Sequence, residues 1–259
     1  MKVGIICAGD TELEPFLPIM ENCKTTEKAM LKFYEGTING LEIVTLFCGV
    51  CKVNAAIATQ ILIDTYHVNI IINAGTAGGM NSQVNIFDTV ISTDVAYHDV
   101  ASEVLTEFHP WLESVYFKAD NRLLELSKTA VKKMSPEYNV FWGRMVTGEA
   151  FITDDGRKEI NEMFAPLTVD METGSIAHVC YVNKIPFISI RSVTDTETHS
   201  GIDNFEANCE KASIIAKNIT VSLLEEIKND KWFSFKKTLF LQILQQLLIF
   251  RILLLYKIP

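Results

Sequence analysis

Short, continuously apolar segments alternate along this chain with longer segments of helical apolar spacing. The segment VNIIINAG, residues 68–75, has no polar alternation and follows a helical pattern over residues 52–66. A strand without alternation is typical of a sheet covered on both faces. Asn39-Gly40, between two strand-like segments, adds a hairpin turn. This order of segments predicts an α/β fold, a three-layer sandwich with a central twisted mixed β-sheet flanked by helices.

The chain divides by composition near residue 229. No linker rich in Pro, Gly or Ser interrupts residues 1–229, so they are expected to form one domain. Residues 230–259 form a hydrophobic C-terminal tail of unknown role. Within it, residues 238–256 approach the length of a membrane span but contain three Gln and Arg251. A membrane contact, a hydrophobic oligomer contact and an extension without function all remain open for the tail.

Charge and cysteine content restrict the partners and the compartment. The formal net charge of −9 argues against a nucleic-acid partner, which would call for a basic face. The N-terminus lacks a signal-peptide layout, so a reducing, cytoplasmic location with six free thiols is expected. The CGVC segment, residues 48–51, has no second ligand pair for zinc. Neither a metal site nor a cofactor is predicted.

Polar residues are concentrated where the predicted strands end. Glu12 follows the first strand, in a helix whose N-cap is predicted at Asp10 or Thr11. AGTAGG, residues 74–79, is interpreted as a glycine-rich turn after a buried strand, and Asp195 follows the last strand. Further strand ends contribute the pair Asp170 and Glu172, and Glu149 with Phe151 and Ile152. Because carboxyl ends of strands meet at one edge of such a sheet, these residues are expected to converge.

Converging carboxylates with an aromatic ring suit a neutral, ring-bearing polar ligand better than an anion. An ionised carboxylate can accept hydrogen bonds from two vicinal ribose hydroxyls. Cleavage of an N-ribosidic bond needs an acid for the leaving base and a carboxylate that activates water on the opposite face. The residues alone leave this reaction as one option among several.

Several segments together resemble the 5′-methylthioadenosine/S-adenosylhomocysteine nucleosidases of the purine nucleoside phosphorylase and hydrolase superfamily. They include KVGIICAGDTELEPF, INAGTAGG, TGEAFI, VDMETGSIAHVC and RSVTD, and the resemblance extends over about residues 1–228. It implies a nucleoside phosphorylase/hydrolase-like fold and a nucleosidase activity. The expected reaction is hydrolysis of the N-ribosidic bond of both nucleosides, which releases adenine and the 5′-thioribose. It also implies a homodimer, an adenine nucleoside as the small-molecule partner, and a part in methionine salvage.

The resemblance assigns a role to each of eleven residues. Glu12 would activate the attacking water, and Asp195 would protonate N7 of the leaving adenine. Glu172 would hold the ribose hydroxyls, with Met171 against the sugar. The other seven would line or order the pocket: the Ile152 backbone at the adenine edge, Phe151 stacked on adenine, Gly78 and Thr76 at the sugar and water, Arg191 and Thr194 orienting the Asp195 loop, and Phe205 over the 5′-alkylthio group.

Departures from the family pattern leave the 5′ specificity open. Gly9 stands where the family often has a larger residue, and residues 101–114 match poorly to a loop that closes the neighbouring subunit's pocket in the family. The alternatives are a nucleosidase for 5′-deoxyadenosine or aminodeoxyfutalosine, a phosphate-dependent purine nucleoside phosphorylase, and a non-catalytic nucleoside-binding protein. The first arginine of the chain is Arg122, which disfavours a phosphate site in the first half.

Overall fold

The computed structural model describes residues 1–108, 112–153 and 156–230. Within these ranges, ten strands form one mixed sheet and seven α-helices pack around it. The strands are β1 (Lys2–Cys7), β2 (Glu21–Lys28), β3 (Leu31–Ile38), β4 (Leu41–Phe47), β5 (Ile70–Gly79), β6 (Thr89–Tyr97), β7 (Phe117–Lys118), β8 (Val140–Thr147), β9 (Thr168–Asp170) and β10 (Phe187–Asp195). The helices are α1 (Asp10–Leu13), α2 (Lys52–Asp64), α3 (Ser102–Glu107), α4 (Asn121–Met134), α5 (Arg157–Phe164), α6 (Thr173–Asn183) and α7 (Ile202–Asn229).

The sheet follows the order β10-β6-β8-β9-β5-β1-β4-β3-β2, and β7 pairs with β6. Strand β10 also pairs with β5, so β5, β10, β6, β8 and β9 form a closed ring. From β5 the sheet continues as an open arm of four strands, in the order β1, β4, β3, β2. Parallel pairs such as β1–β5 and antiparallel pairs such as β10–β6 coexist. The predicted α/β architecture with a mixed sheet between helices is confirmed, and the ring is an additional feature that the sequence pattern did not predict.

Two large apolar clusters cover the two faces of the sheet. Ile6 lies in one cluster with Leu62 of α2, whereas Ile5 lies in the other with Leu223 of α7. Successive side chains of a strand point to opposite faces, so an uninterrupted apolar strand contributes to both clusters. This is the physical reason that β1 and β5 lack polar alternation.

The predicted hairpin is confirmed, but the strand that precedes it was missed. Strands β3 and β4 are joined by Asn39 (φ 51°) and Gly40 (φ 74°), which have the positive φ angles of a type I′ turn. Strand β2 pairs with β3 at the edge of the sheet, and all of its residues are exposed. A strand without a buried face has no apolar periodicity, so the sequence gave no signal for β2.

Two local predictions near the carboxyl ends of strands are wrong. Helix α1 begins at Asp10 with Gly9 as its N-cap, not with Asp10 or Thr11 as the cap. It becomes a 3₁₀ helix at Glu14–Ile19, a segment that contains two prolines. The AGTAGG segment is not a turn, because β5 continues through it to Gly79.

No helix within the described ranges combines the length and the apolar character needed to cross a bilayer. The tail beyond Asp230, with its proposed membrane segment at 238–256, lies outside the described residues.

Candidate active site

A cavity of about 580 Å³ opens at the carboxyl ends of β1, β5, β9 and β10. All eleven residues that the sequence singled out line this cavity: Glu12, Thr76, Gly78, Phe151, Ile152, Met171, Glu172, Arg191, Thr194, Asp195 and Phe205. The convergence of strand ends that the sequence predicted is therefore present in the structure. Asp10, Glu206, Cys209 and Glu210 also line the cavity, although the sequence had not assigned them a place there.

The Glu12 carboxylate is held by donors from three segments. Oε2 accepts hydrogen bonds from the backbone N–H groups of Ala8 (2.6 Å) and Gly9 (3.3 Å) at the end of β1. Oε1 accepts from the Thr76 backbone N–H (2.7 Å) and hydroxyl (2.9 Å) on β5, and from Arg191 Nη1 (3.4 Å). Such donors stabilise the carboxylate anion. The arrangement orients the Glu12 carboxyl group in the cavity wall.

Gly75 makes room for that carboxylate, a role the sequence did not reveal. A Cβ built on Gly75 would overlap the Glu12 carboxyl group. Any other residue at this position would therefore displace Glu12 from its donors. The glycines of AGTAGG allow side chains from other elements to approach β5, and they do not form a turn.

Arg191, on β10, connects the acids beneath the cavity. It is fully buried, and its guanidinium lies 3.4 Å from Glu12, 3.4 Å from Asp170 and 3.2 Å from Glu172. These three carboxylates outweigh its desolvation and raise the pKa of Arg191. The resemblance predicted that Arg191 orients the Asp195 loop, but none of its hydrogen bonds or ion pairs within the described ranges reaches Asp195. Besides the three acids, it donates to the Thr76 carbonyl (3.1 Å) and the Thr173 hydroxyl (3.3 Å).

Glu172 and Asp170 have different environments despite their proximity in sequence. Strand β9 ends at Asp170, and Glu172 is the N-cap residue of α6, so the two carboxylates are not on one face of a strand. Asp170 Oδ1 accepts from the Thr147 hydroxyl (2.7 Å) and from the backbone N–H groups of Glu172 (3.1 Å) and Thr173 (3.0 Å). It therefore stabilises the start of α6. Asp170 thus supports the site through its neighbours.

Glu172 retains an acceptor surface toward the cavity. Its Oε1 accepts from the Cys51 backbone N–H (3.0 Å), and its Oε2 accepts from Arg191 Nη2 (3.2 Å). Burial raises the pKa of Glu172 to about 7, although Arg191 opposes this shift. The contact from Cys51 comes from its backbone N–H group, so it does not depend on the side chain at this position.

Asp195 is the last residue of β10 and is 1 % exposed. Its Oδ1 accepts from the Thr194 hydroxyl (2.8 Å), the contact expected of a residue that orients Asp195. A Cβ on Gly78 would lie 3.1 Å from Oδ2, so the absence of a side chain there gives Asp195 access to the cavity. Burial raises the pKa of Asp195, whereas Thr194 and Arg157 oppose that shift. An acid with a raised pKa holds its proton at higher pH and can donate it.

Glu12 and Asp195 border neighbouring positions of one strand. Glu12 contacts Thr76 and Asp195 lies beside Gly78, two residues further along β5, which is about 7 Å of strand. Both acids line the same cavity.

Two aromatic rings border the cavity as an edge-to-face pair. The ring centroids of Phe151 and Phe205 are 6.0 Å apart, with an interplanar angle of 76°. Phe151 follows β8 and is 38 % exposed, and Phe205 lies in the first turns of α7. An aromatic face and an adjacent apolar surface are available for a planar base and its substituent.

The chain belongs to the phosphorylase superfamily, whose family model matches residues 2–225. Within that superfamily, the chain belongs to the 5′-methylthioadenosine/S-adenosylhomocysteine nucleosidases. The nucleosidase of Bacillus subtilis (strain 168) is 34 % identical over 235 residues, which cover 88 % of this chain and 100 % of that protein.

Solved structures of the same family agree. The nucleosidase of Colwellia psychrerythraea 34H in complex with adenine is 31 % identical, with a TM-score of 0.80 over 87 % of this chain and 95 % of that one. The Neisseria meningitidis nucleosidase in complex with methylthio-immucillin-A is 30 % identical, with a TM-score of 0.79 over 86 % of this chain and 98 % of that one. The futalosine hydrolase of Helicobacter pylori, at 22 % identity and a TM-score of 0.79, shares the fold.

Proposed function

We propose that this protein hydrolyses the N-ribosidic bond of 5′-methylthioadenosine and S-adenosylhomocysteine, releasing adenine and the 5′-thioribose. The observation that carries the proposal is the position of Glu12, Glu172 and Asp195 around one cavity of nucleoside size. The Bacillus subtilis relative is named for these two substrates, and the Colwellia and Neisseria structures contain adenine and an inhibitor.

In this proposal, the two acids act from opposite sides of the bond. Asp195 gives its proton to N7 of adenine, so the base leaves as a neutral molecule with the electron pair of the broken C–N bond. Glu12 accepts a proton from water, whose oxygen forms the new bond to C1′ of the sugar. Five donors orient the Glu12 carboxylate for this task, and burial raises the pKa of Asp195, which favours its role as the acid.

The remaining residues bind the substrate. Glu172 accepts hydrogen bonds from the ribose hydroxyls, and Met171 packs against the sugar. Thr76 and Gly78 line the space for the sugar and the water. Arg191 fixes the relative positions of Glu12 and Glu172 through its ion pairs.

The base and the 5′ group occupy the apolar end of the cavity. Phe151 stacks on adenine, the Ile152 backbone contacts the adenine edge, and Phe205 covers the 5′-alkylthio group. Thr194 orients Asp195 through its hydroxyl.

Charge favours water over phosphate as the nucleophile. Arg191 is the one basic residue among the described residues that line the cavity, and three carboxylates already neutralise it. Glu12, Glu172, Asp10, Glu206 and Glu210 line the same space. A phosphate dianion would enter a net acidic cavity without the bidentate arginines that such anions require.

A panel of 5′-substituted adenosines tests the substrate assignment. The purified protein should release adenine fastest from the methylthio and homocysteinyl nucleosides, because Val50 and Phe205 offer an apolar surface at the cavity wall. Adenosine, 5′-deoxyadenosine and aminodeoxyfutalosine are the comparison substrates, with adenine quantified by chromatography. A higher kcat/KM for any of these three would replace the substrate named here.

We further propose a homodimer. Helices α2 and α3 expose apolar side chains, including Val53 (68 %), Ile57 (44 %) and Val104 (48 %), and exposed apolar patches are typical of interaction surfaces. The poorly matched segment 101–114 contains α3 and so contributes Val104, although residues 109–111 lie outside the described ranges. Sedimentation equilibrium of the active protein measures the assembly, and a fully active monomer would contradict it.

We also propose a cytoplasmic location and a part in methionine salvage. All six cysteines are free thiols, which suits a reducing compartment. For the tail, a membrane-surface contact remains one of three proposals alongside an oligomer contact and no function. Fractionation of cells that express the full chain, compared with a chain ending at Asp230, tests the first of these proposals. Only a membrane contact predicts a membrane-bound full chain and a released truncated one.

A further inference from the structure

Arg157 is a buried cation that the proposed chemistry has not used. It is the first residue of α5 and is 2 % exposed. Its Nη1 donates to the backbone carbonyl of Gly79 and approaches the Met80 sulfur (3.3 Å). Its Nε and Nη2 are buried, and neither has a hydrogen-bond partner within the described part of the chain.

Burial of unpaired guanidinium N–H groups costs free energy, so a favourable interaction or a function is needed to explain why Arg157 is buried. The next residue, Lys158, shows the usual alternative, since its side chain is 87 % exposed and lies 3.8 Å from Glu162. Arg157 instead points inward, and its Nη2 lies 4.0 Å from Oδ2 of Asp195. That distance permits an ion pair but exceeds a normal hydrogen bond.

We infer that Arg157 is a positioning residue for Asp195, whose unpaired N–H groups receive the negative charge that remains on Asp195 after it protonates the leaving base. This inference rests on the proposed role of Asp195. In the step itself, the O–H proton of Asp195 moves to N7, the C–N electron pair moves to the base, and the carboxylate that remains pairs with Arg157. Glu12 takes the proton of the attacking water, so charge and atoms balance.

The other charged groups near Asp195 do not offer the same compensation. The titratable and charged groups on the elements around it are Glu12 on α1, Arg191 on β10, Glu197 and His199 after β10, and Glu206, Cys209 and Glu210 on α7. The acids among them oppose a new anion, and Arg191 is paired with three carboxylates at the other end of the cavity. Within the described ranges, Asp195 is the one acid that Arg157 pairs with.

The electrostatic effect has a definite sign. A nearby cation stabilises the charged form of an acid, and Arg157 lowers the pKa of Asp195 against the larger effect of burial, which raises it. Without Arg157, the pKa of Asp195 would therefore be higher. The acid would be protonated over a wider pH range but would release its proton less readily to the base.

The test is Arg157→Met, which removes the charge and keeps an apolar side chain of similar length. The pH profile of kcat/KM for methylthioadenosine should show its alkaline limb at higher pH than in the wild type, because Asp195 must be protonated to act. At pH values where Asp195 is protonated in both proteins, kcat should fall by about tenfold or more, with little change in KM. The unfolding temperature should change little, since loss of the hydrogen bond to the Gly79 carbonyl offsets the removal of a buried charge with unpaired donors.

Two further variants make the result specific. Arg157→Lys retains a positive charge and should return the alkaline limb toward the wild-type position. Lys158→Met removes an exposed charge from the same turn and should leave both the limb and kcat unchanged. If Arg157→Met lowers kcat without moving the alkaline limb, the residue is structural and the inference is wrong. If the wild type fails to release adenine, the proposed function itself fails, so the two failures are distinguishable.

Discussion

Glu12→Gln should lower kcat for methylthioadenosine hydrolysis by about 10³-fold, near the middle of the range for loss of general-base catalysis. An amide cannot accept the proton of water. The structure adds a second cost, because all five groups around the Glu12 carboxylate are donors. The side-chain NH₂ of glutamine is itself a donor, so it would oppose the donors that now bind one of the carboxylate oxygens. A small loss of thermal stability should therefore accompany the kinetic effect.

The measurement combines kcat from adenine release with the Kd of a transition-state mimic such as methylthio-immucillin-A. The Kd should change far less than kcat, because the base and ribose contacts remain. Glu14→Gln is the matched control, since Glu14 lies two residues further along in an exposed position outside the cavity. Turnover of Glu12→Gln within a few-fold of the wild type would remove Glu12 from the mechanism.

Asp195→Asn should lower kcat by a comparable factor, about 10³-fold. Asparagine retains a donor for N7 but cannot transfer a proton to it. Adenine must then leave as an anion, which is a far poorer leaving group. Asp203→Asn is the matched control, because Asp203 is exposed in the first turn of α7.

A substrate with a different leaving group distinguishes the role of Asp195 from that of Glu12. The leaving group of a p-nitrophenyl riboside is p-nitrophenolate, a stable anion that needs no proton. Asp195→Asn should therefore regain most of its rate on this substrate. Glu12→Gln should remain impaired, because water must be activated whatever the leaving group. If both variants were rescued equally, or neither, the division of labour between acid and base would be wrong.

The sequence predicted the parts of the structure that have a local physical signature. Continuous apolar strands, helices with apolar spacing and the Asn39-Gly40 turn each follow from the energetics of neighbouring residues, and all three are present. The sites at strand ends were also predictable, since topology brings the carboxyl ends of parallel strands together. This is why the eleven residues with an assigned role line the same cavity. Glu149, which was also expected to converge there, does not line the cavity and instead accepts a hydrogen bond from the Lys52 backbone N–H.

Features that depend on contacts between distant segments were not predictable in the same way. The exposed edge strand β2 is stabilised by pairing with β3 and has no apolar period. Gly75 looked like a turn residue because its reason, the approach of the Glu12 carboxylate, comes from another element. The sequence analysis did not single out Arg157, and only its contacts with Gly79 and Asp195 in the folded chain show its buried position.

Product analysis with and without phosphate tests the central claim, that water attacks the sugar as adenine leaves. Wild-type protein is incubated with methylthioadenosine in phosphate-free buffer and in buffer containing inorganic phosphate, and the sugar product is followed by NMR. Our account predicts equal rates in the two buffers and a free 5-methylthioribose in both. A rate that requires phosphate, or a sugar 1-phosphate among the products, would contradict it.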